Sequence, residues 1–293
     1  MGKLHGCIPI VATPFTEEGA IDEKSLRAEV EFLIAGGVHG LATPAIASEG
    51  YKLAEAEQQR VAAIVIETVG GRIPVVVSAD GNGTDIAVIR ARRAATLGAA
   101  ALMVPPPMFI KPDGENLYRY YQRIARAVDV EIMVQDAPQL TGVALPGSLL
   151  ARLNRDCPNI TSVKIECTPA GPKTSEVLAL SDNRVDVFGG WGGLSFWESL
   201  QRGAKGCMPA ANFGPPLAQV YSLYQAGDYA AARSRFNDLV PFINWSMQSV
   251  DLSVWCAKEA LKRQGILAAN ILREPASLPD AVMRHEFEVF YGA

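Results

Sequence analysis

The chain has 293 residues, and its 27 basic and 31 acidic side chains are mixed along its length for a formal charge of −4. No basic stripe runs through it, which argues against nucleic acid and anionic membrane surfaces as partners. With 49% hydrophobic residues there is material for one large core, and α/β barrels reach this size as single domains.

In chain order, residues 8–13 are apolar up to Pro14 and predict a first strand. Asp22 caps a helix through Leu26, Val30, Leu33 and Ile34, which Gly36 and Gly37 close. Residues 38–42 read as a second strand, and a loop over 43–53 leads into a helix over 54–69 that Gly70-Gly71 stops. A β-branched third strand, 73–78, precedes the turn Asp80-Gly81-Asn82-Gly83, after which Thr84 caps a helix to Leu97 ended by Gly98. Residues 99–104 form a fourth strand broken by Pro105-Pro106-Pro107, followed by a helix over 116–128 and a fifth strand over 130–135. A short helix over 146–153 leads to a sixth strand, 161–167, then a helix over 172–180 and a seventh strand over 184–188. A helix over 194–201 and an eighth strand over 205–209 complete the series.

Eight strand–helix units predict an α/β fold, a (β/α)8 TIM barrel over residues 1–214. A doubly wound sheet is the alternative. Residues 215–265 carry two or three further helices with amphipathic rows such as Leu217, Val220, Leu223 and Tyr224. The tail over 215–293 is expected to pack on the barrel within one structural domain. Five scattered cysteines, odd in number and without a C-x-x-C pair, point to a reducing compartment and away from a disulfide framework or a zinc site. Residues 1–10 lack a basic stretch followed by a long apolar segment, and no apolar run approaches about 20 residues, so a cytoplasmic protein is expected.

The chemistry concentrates on the sixth strand. Successive strand side chains alternate, so Lys164 and Glu166 share one face while Val163 and Ile165 take the other. A structural ion pair is one reading. A parallel sheet is covered on both faces, however, and a buried lysine must be paired or lose its proton; a neutral lysine is the nucleophile of Schiff-base chemistry. Barrel active sites lie at the C-terminal strand ends, where the polar residues are Ser48, Glu49, Asp80, Asn82, Gln135, Asp136, Lys164, Glu166, Trp191 and Asn212. The carboxylates among them raise the rival of a divalent-metal site, although no histidine has ligand spacing. Glu49 and Asp80 are read as helix N-terminal caps. Gly81-Asn82-Gly83 lacks what a nucleotide loop needs and reads as a tight turn.

Taken together, the eight units with C-terminal helices, the strand-six Lys164, Ser48-Glu49 followed by Leu53, Asn82, and Pro138 with Thr141-Gly142 resemble the dihydrodipicolinate synthase/N-acetylneuraminate lyase superfamily. The resemblance implies a lyase that holds a 2-keto acid as a Schiff base on Lys164, with no cofactor and no metal, usually as a homotetramer. Where the synthases have Gly-Thr-Thr-Gly-Glu, this chain has Ala45-Ile46-Ala47-Ser48-Glu49. Their strand-five Tyr-Asn is Gln135-Asp136, their arginine after the proline is Leu140, and their strand-four tyrosine is replaced near Met108-Phe109. These departures remove the proton relay and the second-substrate grip, and argue against dihydrodipicolinate synthesis.

The L-2-keto-3-deoxyarabonate dehydratase branch is similar in Ser48-Glu49, Gln135-Asp136-Ala137-Pro138, Lys164-Ile165-Glu166, Trp191 and Ile243-Asn244, whereas Ile46, Ala47 and Gly192-Gly193 differ from it. The implied function is dehydration of a 2-keto-3-deoxy sugar acid, with a pyruvate-dependent class I aldolase as the alternative. Lys164 and Glu166 are the catalytic candidates. Ala47 and Ser48 would hold the substrate carboxylate through backbone N–H groups and the Ser48 hydroxyl, and Gln135 and Asn212 would meet sugar hydroxyls or a water. Trp191 would wall the pocket.

Overall fold

Residues 3–292 are described in a computed structural model. The outer bounds expected for the barrel and the helical tail, at residues 1–2 and 293, lie outside the described residues. The alternation read from the sequence is present in full: eight strands stand in a single sheet in the order β1-β8-β7-β6-β5-β4-β3-β2. This is the strand order of a (β/α)8 barrel, and C-terminal helices follow it. Among the described residues no helix is long and apolar enough to cross a membrane. The chain divides into two compact units. One holds Pro74–Trp191 and Ser195–Cys207 with residues 3–5, and the other holds Gly6–Ile73, Gly192–Leu194 and residues 208–292.

In the second unit, β1 is Gly6–Cys7, shorter and earlier than the expected run over 8–13. Pro9 and Pro14 have no N–H to give a ladder, so the run continues only as single bridges, Ile10 pairing in parallel with Ala42 and with Ala210. Helix α1, Glu23–Ala35, is capped by Asp22, whose carboxylate accepts from the Ser25 N–H at 3.1 Å as the sequence indicates. Strand β2 is Leu41–Thr43, and α2, Glu55–Val69, ends at Gly70 in the left-handed region.

Glu29 of α1 is a fully buried carboxyl that accepts the Ala12 N–H at 2.7 Å on Oε1 and has no partner for Oε2. Burial pushes its pKa up to about 8. The folded state therefore keeps a proton that the unfolded chain, near 4.5, releases. Stability contributed by this group is complete below the unfolded value and falls by up to ~1.4 kcal/mol per pH unit as pH rises towards 8. Denaturation of Glu29→Gln across that window is expected to show the slope flattened by about one proton relative to the parent chain.

The first unit shows why residues of a parallel sheet read as continuous apolar runs. Strands β3 (Val75–Ser78) and β4 (Ala101–Val104) flank α3 (Thr84–Leu97). Thr84 is the first helical residue rather than the cap: Gly83 occupies the N-cap without a side-chain bond. Helix α4 (Gly114–Ala125), β5 (Glu131–Asp136), the single turn α5 (Pro138–Thr141), α6 (Gly147–Asp156), β6 (Ile160–Ile165), α7 (Ala170–Leu180), β7 (Asp186–Gly189), α8 (Phe196–Gln201) and β8 (Gly206–Cys207) follow. All pair in parallel, with Leu102 opposite Ile132 and Val134 opposite Val163. Both alternating sets are buried, Val163 and Ile165 as well as Ser162 and Lys164, because each face of the sheet is covered.

The tail belongs to the second unit. Helices α9 (Gly214–Gln225), α10 (Tyr229–Ser246) and α11 (Val250–Arg263) fill the span read as helical, with Leu217 and Val220 fully buried and Leu223 and Tyr224 only half so. A further helix, α12 (Ala281–Gly292), buries Phe287 against Trp255, ring centroids 5.1 Å apart. The apolar pattern over 215–265 did not reach it.

Candidate active site

Lys164 and Glu166 meet as the strand alternation requires. Lys164 lies in β6, between Gln135 of β5 and Phe188 of β7 in register. Glu166 stands one residue past the strand and extends its ladder, its N–H donating to the Asp136 carbonyl at 2.8 Å. The Lys164 Nζ is 3.0 Å from Glu166 Oε1, with both side chains more than 90% buried. Two charges taken this far out of water are poorly explained as a stability device, since desolvation offsets their attraction.

The Glu166 carboxylate receives two more donors. Gln135 Nε2 donates to Oε2 at 2.6 Å, and the Trp191 N–H donates to Oε1 at 3.1 Å. Trp191 presents that N–H from a left-handed conformation, φ 51°, which an L side chain rarely adopts. Behind the carboxylate, Gly190 leaves the room it needs: a Cβ there would lie 2.2 Å from Glu166 Cγ. Gly190→Ala is therefore expected to displace Glu166 and to lower turnover by about 10- to 100-fold, as a misplacement of about 1 Å does. Steady-state kinetics beside a melting curve would check that the fold persists. A further hold comes from Gln139 on α5. In the amide orientation that satisfies both groups, it donates to the Glu166 carbonyl at 3.0 Å and accepts from the Thr168 N–H at 2.9 Å.

Asp136 follows Gln135 and takes the opposite strand face. Its buried carboxylate accepts the Leu145 N–H at 3.1 Å, and burial raises its pKa against the pull of that bond and of Lys173. It anchors the segment after α5 and does not reach the face of Lys164. Asp80 is held by Arg90 at 3.0 Å and caps no helix, contrary to its reading as a cap. Asn82 pins the loop after β4, its Oδ1 accepting from the N–H groups of Met108 (3.0 Å) and Phe109 (2.9 Å).

In the second unit, the loop after β2 is two successive 3-10 turns, Ile46–Ser48 and Gly50–Lys52, joined at Glu49. Ser48 is fully buried. Its hydroxyl donates to the Val11 carbonyl at 2.6 Å, its N–H donates to Ala45 at 3.0 Å, and its carbonyl accepts from Thr13 Oγ1 at 2.7 Å. A hydroxyl has one proton, so the donor expected of Ser48 is spent inside the loop, and Ala47 beside it is half-buried. Glu49 stands at the N-cap of the second turn but makes no side-chain capping bond there. Its carboxylate is fully buried and paired with lysines, and its backbone is left-handed, φ 56°. Asn212, in the 3-10 turn Ala211–Phe213, keeps a buried Oδ1 without a hydrogen-bond partner.

The structure thus brings Lys164, Glu166, Gln135 and the Trp191 backbone together in the first unit, and sets Ala47, Ser48 and Asn212 in the second. Trp191 contributes its main chain to the carboxylate, a role that residue type cannot signal. Gln139 and Gly190 were missed. A glycine directly before the singled-out Trp191 was the available signal for the latter. The four carboxylates of the metal rival are each engaged separately, by Lys258, Arg90, Leu145 and Lys164. Among the described residues no group of three His, Cys, Asp or Glu side chains is arranged to hold a metal ion.

Comparison with known proteins bears on this geometry. The chain is 30% identical over 280 residues to an L-2-keto-3-deoxyarabonate dehydratase of Azospirillum brasilense, covering 93% of this chain and 89% of that one. It is 31% identical over 274 residues to a 4-hydroxy-tetrahydrodipicolinate synthase of Brucella abortus, covering 93% and 92%. A solved dihydrodipicolinate synthase from Rhodopseudomonas palustris superposes with a TM-score of 0.92 at 25% identity, over 99% of this chain and 97% of that one. The sequence profile of the dihydrodipicolinate synthetase family matches residues 3–290, nearly the whole chain and every residue of the Lys164 cluster. On these grounds the barrel, with its buried lysine and carboxylate, belongs to the dihydrodipicolinate synthetase family and is an enzyme of the lyase class.

Proposed function

We propose that the enzyme dehydrates a 2-keto-3-deoxy sugar acid through a Schiff base on Lys164. The observation that carries this reading is the buried Lys164–Glu166 contact of 3.0 Å, with Gln135 and the Trp191 N–H holding the carboxylate from its other sides. Lys164 Nζ passes a proton to Glu166 and adds to the C2 carbonyl; the former carbonyl oxygen takes one proton from the nitrogen and one from Glu166 and leaves as water, giving an iminium and the Glu166 carboxylate. The iminium draws electrons from C3. Glu166 takes the C3 proton, the enamine forms, and the same carboxyl group returns a proton to the C4 hydroxyl as that C–O bond breaks. The net change is loss of one water. Hydrolysis then frees Lys164 and an α,β-unsaturated 2-keto acid.

Gln135 favours this order over carbon–carbon cleavage. An amide orients Glu166 but does not relay a proton, whereas the synthases, by resemblance, place a tyrosine at that position. Within the second unit, the Ala47 N–H of the turn that Ser48 stabilises is the candidate contact for a carboxylate, and Asn212 the candidate for a hydroxyl. The alternative is a pyruvate-dependent class I aldolase, as the family resemblance implies, and pyruvate released from a 2-keto-3-deoxy acid would identify it. The test is borohydride reduction with 2-keto-3-deoxyarabonate, intact mass and peptide mapping. One adduct per chain on Lys164 is expected, and absence of the adduct would overturn the proposal. Five free thiols fit a reducing, cytoplasmic setting, and a homotetramer is the assembly implied by the family. Sedimentation velocity would check the latter.

A further inference from the structure

The turn that joins β3 to α3 carries a chemistry that the proposed reaction leaves unused, and it lies wholly within the first unit. Asn82 is followed there by Gly83, the one Asn-Gly pair in the sequence. Glycine has no side chain to shield its nitrogen from the preceding residue, so the Gly83 nitrogen can close on the Asn82 amide carbon in a five-membered ring. Asn82 is exposed, which lets its Nδ2 depart into solvent and lets water follow.

The fold adds what the pair alone lacks. Asn82 Oδ1 accepts two main-chain N–H groups, Met108 at 3.0 Å and Phe109 at 2.9 Å. Two donors on one carbonyl oxygen draw electrons from its carbon and stabilise the negative oxygen that forms when a nucleophile adds, the arrangement of an oxyanion hole. The attacking nitrogen stands at the N-cap of α3, where the positive end of the helix favours the same negative charge. That helix draws on the Gly83 carbonyl, which accepts the Ala87 N–H at 3.1 Å, and a residue at the N-cap gives no N–H to the ladder.

We propose that Asn82-Gly83 is a self-modification site, at which the folded chain promotes conversion of its own asparagine through a succinimide; this is independent of the Schiff-base reading above. The Gly83 nitrogen gives its proton to hydroxide and bonds to Asn82 Cγ. The adduct collapses as the Cγ–Nδ2 bond breaks, and ammonia leaves with a proton from water, which restores the hydroxide. Water then opens the ring at either carbonyl to give aspartate or isoaspartate. The net exchange is one ammonia for one water, a gain of about 1 Da and of one negative charge. Isoaspartate also lengthens the main chain by a methylene. The turn has no slack for it, since Gly81 packs so closely that a Cβ there would lie 2.8 Å from the Ala87 nitrogen, and the start of α3 is displaced.

The experiment follows the full-length chain at mildly alkaline pH by intact mass and peptide mapping, folded and in denaturant at one temperature. A protease that cuts before aspartate and spares isoaspartate separates the two products. Residue 82 is expected to convert about fivefold faster in the folded chain, the factor that one net hydrogen bond to the adduct contributes. A folded rate equal to or below the unfolded rate, or conversion of another asparagine ahead of Asn82, would overturn the proposal. Met108→Pro removes one donor and leaves Asn82 and Gly83 in place, and its folded rate is expected to fall by about fivefold. An unchanged rate in the folded variant would overturn the role of the two N–H groups and the proposal with it. Should Met108→Pro fail to fold, the comparison of folded and unfolded parent chain decides alone.

Discussion

Lys164→Met is expected to abolish the borohydride-trapped adduct and to lower turnover by at least about 10⁴-fold, because no other group in the Lys164 cluster supplies an amine nucleophile. Methionine fills a similar volume in the buried strand. Glu166 keeps two of its three donors, Gln135 at 2.6 Å and the Trp191 N–H at 3.1 Å, so its charge is not stranded. The expected stability loss is therefore about 1–3 kcal/mol, below the usual cost of breaking a buried pair. Intact mass with substrate and borohydride, beside a denaturation curve, separates loss of chemistry from loss of fold. Retained turnover in a folded Lys164→Met chain would sink the Schiff-base mechanism.

Glu166→Gln separates covalent capture from the steps that follow. The amide keeps the shape of the side chain and still offers an oxygen to the Gln135 amide, but it cannot take a proton from C3. Capture on Lys164 is expected to persist, and turnover is expected to fall by about 10²- to 10⁴-fold, the range for loss of a positioned acid/base group. The adduct mass distinguishes the two stages. With an intact adduct that has not lost water, the block lies after iminium formation, where Glu166 is assigned. Near-normal turnover would remove Glu166 from the mechanism.

Much of this was readable along the chain because it depends on near neighbours. The period of two on β6 put Lys164 and Glu166 on one face, and a 3.0 Å contact follows from it. Asp22 before an amphipathic run gave the start of α1, and Gly70 and Gly98 gave the ends of α2 and α3, since only local backbone geometry is involved. Strand ends were less legible. Pro9 and Pro14 interrupt the first ladder, so that apolar run extends beyond the hydrogen bonds.

What only tertiary structure decided is where the carboxylates find partners. Glu49 and Asp80 have the residue type and position of helix caps, yet each pairs with a cation instead: Glu49 with Lys258, 209 residues on, and Asp80 with Arg90. Ser48 looks like a free donor in the sequence, but its hydroxyl is spent on Val11, which strand packing brings beside it. The Trp191 N–H and the space at Gly190 are main-chain features, and no pattern of side-chain types encodes them. Periodicity reports which face a residue takes. Which group stands opposite is set by contacts between distant segments, and these depend on the register of strands and the docking of helices that only the folded chain defines.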